Sequence, residues 1–169
     1  ADQTVTVSWS WAEDFNTKSN RKVEVVTNGY DPADFENATG KTPEYFSITH
    51  IGSMNKDRNP IALWPVLKRK VEKEPAFSKH LKIRLIGPVD HQIFKSIDEN
   101  GLTKYLEHIP YKSHKEVVND LIHSAVQLLP INNTANLMGV VPGKLYEYIG
   151  SQRPILCIGT KKGDAARII

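Results

Sequence analysis

The sequence contains a single cysteine, Cys157, so it cannot form an internal disulfide. We expect Cys157 to be a small core residue, because it lies in a short apolar segment. The sequence also has no apolar run of the ~18 residues that a membrane-spanning helix requires, and no secretory signal. These absences predict a soluble protein of a reducing, cytoplasmic compartment.

A strong excess of charge of either sign is also missing. The 22 Lys and Arg residues nearly balance the 19 Asp and Glu residues, and the net charge is +3. That value is too small to indicate nucleic-acid binding, and no RNA-binding aromatic motif accompanies it. The six histidines have no zinc-binding spacing, so we expect no metal site, and we interpret His50, in a predicted strand, as a core residue.

The glycine-rich signatures of dinucleotide-binding folds and P-loops are absent, and so is the G-x-S-x-G motif of hydrolases. What the sequence does contain is a regular alternation of strand-like and helix-like segments. The predicted strands are 4–8, 22–27, 45–51, 81–86, 103–109, 125–129 and 155–158. The predicted helices are 9–19, 32–35, 60–74, 90–100, 113–124, 142–149 and one that begins at 164. Polar loops are predicted at 37–44 and 130–138, the second of them mobile. This order predicts the α/β class, as a Rossmann-like three-layer αβα domain around a parallel sheet.

Residues 141–158 carry the clearest functional pattern. Pro142 suits the first turn of a helix and Gly150 suits its end. Lys144 in the first turn opposes the helix dipole, which is reasonable if an anion binds between it and the helix end. Glu147, one turn further, can accept hydrogen bonds from sugar hydroxyls. The alternative is an ordinary surface Lys–Glu pair.

Four predicted loops follow the carboxyl ends of strands, where parallel sheets bind their ligands. They are Gly52 to Arg58, Gly87-Pro88, Ile109 to Ser113, and the start of the Lys144 helix. Arg58 suits bidentate contact with phosphate, and a solvated loop charge is its alternative reading. The pattern predicts a phosphate-binding edge of the sheet.

Two motifs resemble glycosyltransferase family 4. Val-Pro-Gly-Lys-Leu-Tyr-Glu-Tyr at 141–148, followed by Arg-Pro-Ile-Leu at 153–156, is similar to the donor-site signature of that family. Asn-Gly-Tyr-Asp-Pro at 28–32, followed by Asp34-Phe35, is similar to the start of the second domain of these enzymes. The resemblance covers most of the chain from Val25 onward.

The resemblance implies the C-terminal half of a GT-B fold. It divides the chain into an interdomain linker with a first strand and helix at 1–24, and a donor-binding domain at 25–169 that is truncated at its C-terminal end. It also implies a retaining hexosyltransferase that uses nucleotide-diphosphate sugars without a metal or other cofactor, of the type that builds bacterial surface polysaccharides. The Asp-x-Asp metal clamp of the other main glycosyltransferase fold is absent.

Site roles are implied residue by residue. Arg58 and Lys144 would hold the diphosphate and Glu147 the ribose, and these three would be the catalytic groups. The remaining implied donor contacts are Gly52, Ser53, Gly87, Ile109, Tyr111, Gly143 and Leu145. Tyr111 would stack on the base, with simple packing as the alternative. The chain departs from the family pattern at Ser53, which replaces a basic residue, and at Gly139, which replaces an acid that contacts the donor sugar.

The expected partners are a nucleotide sugar, the missing N-terminal domain, and a sugar or lipid-linked acceptor. The basic helix face at 68–73 is expected to face solvent, and its alternative is contact with an anionic membrane surface at the periphery of the inner leaflet. Without its other domain, the chain is expected to transfer nothing. Two alternatives stay open, a non-catalytic α/β binding domain and a GT-B nucleotide-sugar epimerase. The sequence leaves the base, the sugar and the acceptor undetermined.

Overall fold

The computed structural model describes residues 2–19, 22–36 and 43–169. Most of the polar segment predicted as a loop at 37–44 lies outside these residues. Within them, the strands are β1 (Thr4–Thr6), β2 (Val23–Val25), β3 (Phe46–Ile51), β4 (Leu81–Ile86), β5 (Leu106–Ile109), β6 (Val126–Pro130) and β7 (Ile155–Ile158). The helices are α1 (Trp9–Lys18), α2 (Leu63–Lys73), α3 (Pro75–His80), α4 (His91–Glu99), α5 (His114–Ile122), α6 (Lys144–Gly150) and α7 (Asp164–Ile168).

Strands β3 to β7 form one parallel sheet in the order β5-β4-β3-β6-β7. Its strands are apolar on both sides, so helices cover both faces. On one face, α2 and α4 pack through Trp64, Leu67, Ile93 and Ile97 against Ile83 and Leu85. On the other face, α5, α6 and α7 pack through Leu121, Leu145, Tyr148 and Ala165 against Ile86 and Leu129. The predicted Rossmann-like αβα architecture is confirmed.

The chain reverses its direction of travel across the sheet between β3 and β6. From β3 it moves outward to β4 and β5, and it then returns to the other side of β3 as β6. The β3–β6 pairing is short and includes only Ile48 with Val126 and Thr49 with Gln127. Beyond Thr49 the two strands separate, and a crevice opens at their carboxyl ends. Open α/β sheets bind ligands at such a reversal.

A smaller parallel sheet, β1 with β2, is connected by α1 and lies at the N-terminal end of the chain. Residues in the first turn of its helix attach it to the main domain. The backbone N–H of Ser10 donates to the Asp164 carboxylate over 2.8 Å. The indole of Trp11 lies directly against Gly139. The division of the chain at residue 24 stays a prediction, and β2 spans that position.

Some predicted elements were wrong in extent. The predicted strand at 103–109 begins as a 3-10 turn, Thr103–Tyr105, and becomes β5 only at Leu106. The predicted helix at 60–74 begins at Leu63, and a further helix, α3, follows it at Pro75. Pro75 cannot donate the hydrogen bond that would continue α2, but it suits the first position of a new helix.

The helix predicted at 142–149 is α6, and it runs from Lys144 to Gly150. Gly150 is therefore the last residue of the helix, one position before the place just past the helix end that its residue type predicts. A Cβ there would lie 2.7 Å from the rings of Tyr30 and Phe35, so glycine at this position permits close packing. On this helix Ile149 is 37% exposed, whereas Tyr146 is buried.

No helix in the described ranges combines the length and the apolar character needed to cross a bilayer. The basic face of α2 lies on the surface, where Lys68, Arg69 and Lys73 are exposed. Lys70 on the same helix pairs with Glu74 over 2.8 Å.

Candidate functional site

Side chains of β3 and α6 fill the crevice where β3 leaves β6. The last residue of β3, Ile51, has no strand partner on this side, so its backbone bonds to α6 instead. Its N–H donates to the Tyr148 hydroxyl over 3.1 Å, and its carbonyl accepts from Lys144 Nζ over 2.8 Å. Lys144 and Tyr148 are four residues apart and therefore share one helix face. Together they fix α6 against the end of β3.

Lys144 is a largely buried cation with neutral hydrogen-bond partners. Its Nζ lies 3.3 Å from His50 Nε2 and contacts the Ile51 carbonyl. Burial, with a smaller effect from the nearby Arg58 charge, lowers the pKa of Lys144 to about 8, and Glu147 partly opposes that shift. The ammonium is therefore partly deprotonated near neutral pH, and an anion beside it would restore the charge.

His50 is fully buried, and its hydrogen bonds determine its tautomer. Its Nδ1 lies 3.0 Å from the Leu128 carbonyl, which can only accept, so Nδ1 carries the proton. Nε2 is then a bare acceptor that faces Lys144. Burial, with a smaller effect from Lys144, lowers the pKa of His50 to about 3. His50 is therefore neutral over the physiological range.

Arg58 is the second cation of the crevice and lies in the 3-10 turn Lys56–Arg58 after β3. One guanidinium nitrogen, Nη1, donates to the Ser53 carbonyl over 2.9 Å. The Nε donates to Oδ1 of Asn132, in the loop after β6. Arg58 thus connects the two loops that border the crevice. Like Lys144, it forms no ion pair with a carboxylate in the described part of the chain.

Arg84 shows that a cation without a bonded carboxylate is not the rule in this protein. Arg84 is buried on β4 and bonds to two carboxylates, Glu107 over 3.0 Å and Asp120 over 3.1 Å. Asp120 also accepts from Lys112. A buried cation elsewhere in the fold is thus neutralised by its neighbours, as stability requires. The Lys144–Arg58 pair is left without that compensation.

Two predicted glycines bring the loops after β3 and β4 into contact. Gly52 and Gly87 have φ values of +98° and +111°, which side-chain-bearing residues rarely adopt. A Cβ on Gly87 would lie 3.1 Å from the Gly52 carbonyl oxygen. A Cβ on Gly52 would lie 2.9 Å from Lys144 Nζ. Both glycines therefore keep the backbone close to the lysine.

The other residues predicted to contact the sugar donor lie in different environments. The carbonyl of Ile109 accepts from the Gly87 N–H over 2.9 Å, which joins the loop after β5 to the site. Tyr111 in that loop is 85% exposed. Gly143 lies at the start of α6 with open space around it. The side chain of Leu145 is buried in the core and its N–H donates to the Pro142 carbonyl over 3.0 Å. The ligand-binding roles of these residues stay predictions.

Glu147 is half-buried one turn after Lys144, and no hydrogen bond engages its carboxylate within the described ranges. Its charge opposes the lowering of the pKa of Lys144 and contributes to the raised pKa of His114. His114 Nε2 also lies 2.9 Å from the Asp34 carboxylate, whose hydrogen bond is the main cause of the raised pKa of His114. Glu147 is thus an available acceptor at the rim of the crevice.

Sequence reasoning missed three residues of this site, His50, Tyr148 and Asn132. The spacing of Lys144 and Tyr148 on one helix face was available as a signal for Tyr148. His50 and Asn132 gave none, because their roles depend on which strands become neighbours in the sheet.

A cavity of about 370 Å³ opens beside Arg58 at the carboxyl ends of β3, β6 and β7. Its lining combines polar groups, including Asn132 and Thr160, with the apolar side chains of Ile61 and Ile158. The cavity and the two cations lie at the same edge of the sheet.

Comparison with known proteins gives structural neighbours only. No protein-family profile matches the chain, and no curated protein sequence matches it. Among solved structures, a mutant of S. aureus TarM in complex with fondaparinux, alpha-GlcNAc-glycerol and UDP has a TM-score of 0.70 at 16% identity. WaaG, a glycosyltransferase involved in lipopolysaccharide biosynthesis, has a TM-score of 0.66 at 10% identity. The pneumococcal O-GlcNAc transferase GtfA, in complex with UDP and GlcNAc, has a TM-score of 0.60 at 14% identity.

These neighbours contain this fold as part of a larger chain. The matches cover 99%, 98% and 96% of this chain but 32%, 46% and 31% of TarM, WaaG and GtfA. The chain thus spans less than half the length of each. The neighbours are glycosyltransferases of the GT-B fold, and the protein described here has the Rossmann-like fold of one of their domains.

Proposed function

We propose that this chain is the nucleotide-diphosphate-sugar binding domain of a glycosyltransferase. One observation carries the proposal: at the reversal point of the sheet, Lys144 is largely removed from solvent, the nearby Arg58 charge lowers its pKa further, and neither cation forms an ion pair with a carboxylate in the described ranges. A diphosphate supplies the two negative charges that this pair lacks, and Arg58 has the planar donor set that suits phosphate oxygens.

The chemistry follows from the same two cations. When a glycosidic bond to a nucleotide diphosphate breaks, the leaving diphosphate gains negative charge. Positive groups held in a dry, fixed position stabilise that charge more than water does. Lys144 and Arg58 would perform this role, and Glu147 would accept hydrogen bonds from the ribose hydroxyls.

The finer parts of the proposal are supported by the resemblance at residues 141–158. They are a retaining, metal-independent mechanism, a hexose as the transferred group, and a role in polysaccharide or glycolipid synthesis. The acceptor site and the rest of the catalytic machinery would belong to another domain, so the chain alone would transfer nothing. The structural neighbours in complex with UDP make uracil the first base to test.

Calorimetric titration of the chain with UDP, GDP and ADP tests the proposal. We expect one nucleotide to bind with a Kd of roughly 0.1–1 mM, because half a site gives about −4 to −5.5 kcal/mol. Lys144→Ala and Arg58→Ala should each weaken binding about tenfold, and a chelator should have no effect. Lys82→Ala removes a cation from the opposite end of the sheet and should bind normally. Equal binding by all four proteins would contradict the proposal.

We also propose that α2 contacts an anionic membrane surface through Lys68, Arg69 and Lys73. The three charges are exposed on one helix and near the exposed Val66. Each basic residue near such a surface contributes ~1 kcal/mol. Cosedimentation with anionic vesicles, lost in Lys68→Glu/Arg69→Glu and absent with zwitterionic vesicles, is the expected result. Cosedimentation that both vesicle types support equally would contradict this contact.

A further inference from the structure

The two ring nitrogens of His50 have different hydrogen-bonding roles, one as donor and one as acceptor, and packing in the core alone does not require this arrangement. Its Nδ1 donates to the Leu128 carbonyl over 3.0 Å, so the opposite nitrogen, Nε2, has no proton. That bare nitrogen lies 3.3 Å from Lys144 Nζ. The Leu128 carbonyl, on the strand across the crevice, thus fixes which nitrogen His50 presents to the lysine.

Lys144 is held at this point by two acceptors, His50 Nε2 and the Ile51 carbonyl. Both belong to the end of β3, whereas the lysine belongs to α6. The two acceptors occupy two of the three ammonium protons and leave the third for a ligand. The carbonyl is part of the backbone and is present whatever residue stands there. Of the two acceptors, only His50 therefore depends on the residue type at its position.

We propose that His50 is a positioning residue, which holds the Lys144 ammonium in place to contact the diphosphate. The inference rests on the proposed function for the identity of the anion, but the His50–Lys144 contact itself can be tested in the free protein. The charged groups that act on the pair are Arg58, which acts on both residues, and Glu147, which acts on Lys144. A neutral His50 adds an acceptor beside Lys144 without adding a third positive charge.

Two substitutions separate positioning from packing. His50→Gln places an amide oxygen near the position of Nε2 and keeps an acceptor for Lys144. His50→Asn places an amide near Nδ1, so it keeps a donor for the Leu128 carbonyl but loses the acceptor for Lys144. If His50 only packs, Asn should be tolerated at least as well as Gln, and neither should change the titration of Lys144.

The measurement is an NMR titration of 13C-labelled lysine side chains without nucleotide, with the Lys144 resonance assigned from its loss in Lys144→Met. An acceptor stabilises the charged amine, so its loss lowers the titration midpoint. We expect His50→Asn to lower the proton affinity of Lys144 about threefold to tenfold, roughly 0.5–1 pH unit. His50→Gln should remain near the wild-type midpoint. Unchanged midpoints in both variants would overturn the proposal.

The 15N shifts of His50 in the unmodified protein provide a test that needs no folded variant at position 50. They should show the neutral tautomer with the proton on Nδ1, and the Nε2 shift should move in Lys144→Met. A proton on Nε2 would overturn the proposal, because that nitrogen could not accept from the lysine.

Titration with UDP at pH 7.5 then separates this inference from the proposed function. If both hold, His50→Asn should bind UDP about threefold to tenfold more weakly, and His50→Gln should bind with nearly wild-type affinity. If UDP, GDP and ADP all fail to bind the wild-type chain, the proposed function fails, while the lysine titration still decides whether His50 positions Lys144.

Discussion

At the scale of single residues, Lys144 lowers the stability of the fold in the absence of an anion. Its pKa in the folded protein is about 8, against an ordinary value of 10.5. Between these two values the unfolded chain binds more protons than the folded chain, so the free energy of unfolding rises as the pH rises through this window. Below pH 8 the folded protein holds a charged, poorly solvated amine. An anion that pairs with it recovers this cost on binding.

Gly52 offers a way to displace that amine without removing it. Gly52→Ala and Gly101→Ala both place a side chain at positive φ, +98° and +66° respectively. Each should therefore lower the free energy of unfolding by about 1–2 kcal/mol. Only the new Cβ at 52 would meet Lys144 Nζ, at 2.9 Å, since the Cβ at 101 has nothing within 4 Å.

We therefore expect Gly52→Ala, but not Gly101→Ala, to weaken nucleotide binding roughly tenfold, through loss of one charge-assisted hydrogen bond. Thermal unfolding and calorimetric titration of both variants measure the two effects. Equal affinities of the two variants would show that the position of Lys144 does not matter for the ligand.

Local patterns were enough to propose Lys144, Arg58 and Glu147 as site residues, because a cation in a first helical turn and an arginine in a loop after a strand can be recognised in the sequence, and their ligand-binding roles stay predictions. It was insufficient for His50, which stands in an apolar strand and is indistinguishable there from a core residue. The role of His50 follows from Leu128, 78 positions away. Pairing over such a distance in sequence is determined by sheet order, which no local pattern encodes.

At the scale of elements, helix α1 packs against the main domain at Gly139, where there is no side chain. A Cβ on Gly139 would lie 2.1 Å from Cδ1 of the Trp11 indole, a distance that neither group can accommodate without moving. This contact also explains why an acidic side chain does not fit at position 139 while Trp11 lies there. The departure from the family pattern thus coincides with the packing of the N-terminal unit.

Gly139→Ala should accordingly lower the free energy of unfolding by about 1–3 kcal/mol through overpacking. Gly143→Ala is the matched control, since its Cβ has open space and its φ of −53° suits any residue. We expect that control to be neutral or slightly stabilising, by up to about 1 kcal/mol. Chemical denaturation of the two variants measures the difference. A Gly139→Ala protein as stable as the control would mean that α1 does not pack on Gly139 in solution.

The sequence predicted elements well where one local signal was decisive. Strands β4 and β7 begin and end where the alternating and apolar patterns place them. Asp90, the first residue of the predicted segment 90–100, caps α4 by accepting from the Gln92 N–H over 2.9 Å. At the start of α5, Glu116 accepts from the Ser113 N–H over 3.0 Å and completes a capping box, which is also a local signal.

Predicted element boundaries were wrong where tertiary packing outweighs the conformational preference of the local sequence. Tyr105 is buried against the first face of the sheet, and its hydroxyl lies 2.6 Å from that of Ser78. This packing favours a 3-10 turn before β5 over an extended strand. Gly150 ends α6 within one residue of its predicted place, and its lack of a side chain also makes room for Tyr30 and Phe35. Neither contact is visible in the neighbouring sequence.

At the scale of the whole molecule, the parallel sheet concentrates charge at one place. The chain returns to the other side of β3 as β6, and this return opens the crevice in which Lys144, Arg58 and His50 meet. The fold of the solved glycosyltransferases contains the same sheet within chains at least twice as long. If the proposed function holds, this site would be one wall of a larger active site, and its charges are arranged before a ligand arrives.

The central claim is that Lys144 contacts the diphosphate directly, and proton uptake on binding tests it most directly. At pH 8 about half of the Lys144 amines are neutral in the free protein, because the pKa is about 8. A bound anion raises that pKa, so binding should take up about half a proton per nucleotide. Calorimetric titration with UDP, or with whichever nucleotide binds, in two buffers of different ionisation enthalpy measures this uptake. Uptake in the wild-type chain that is lost in Lys144→Ala is the expected result. Binding with no proton uptake at pH 8, or with equal uptake in both proteins, would contradict the account.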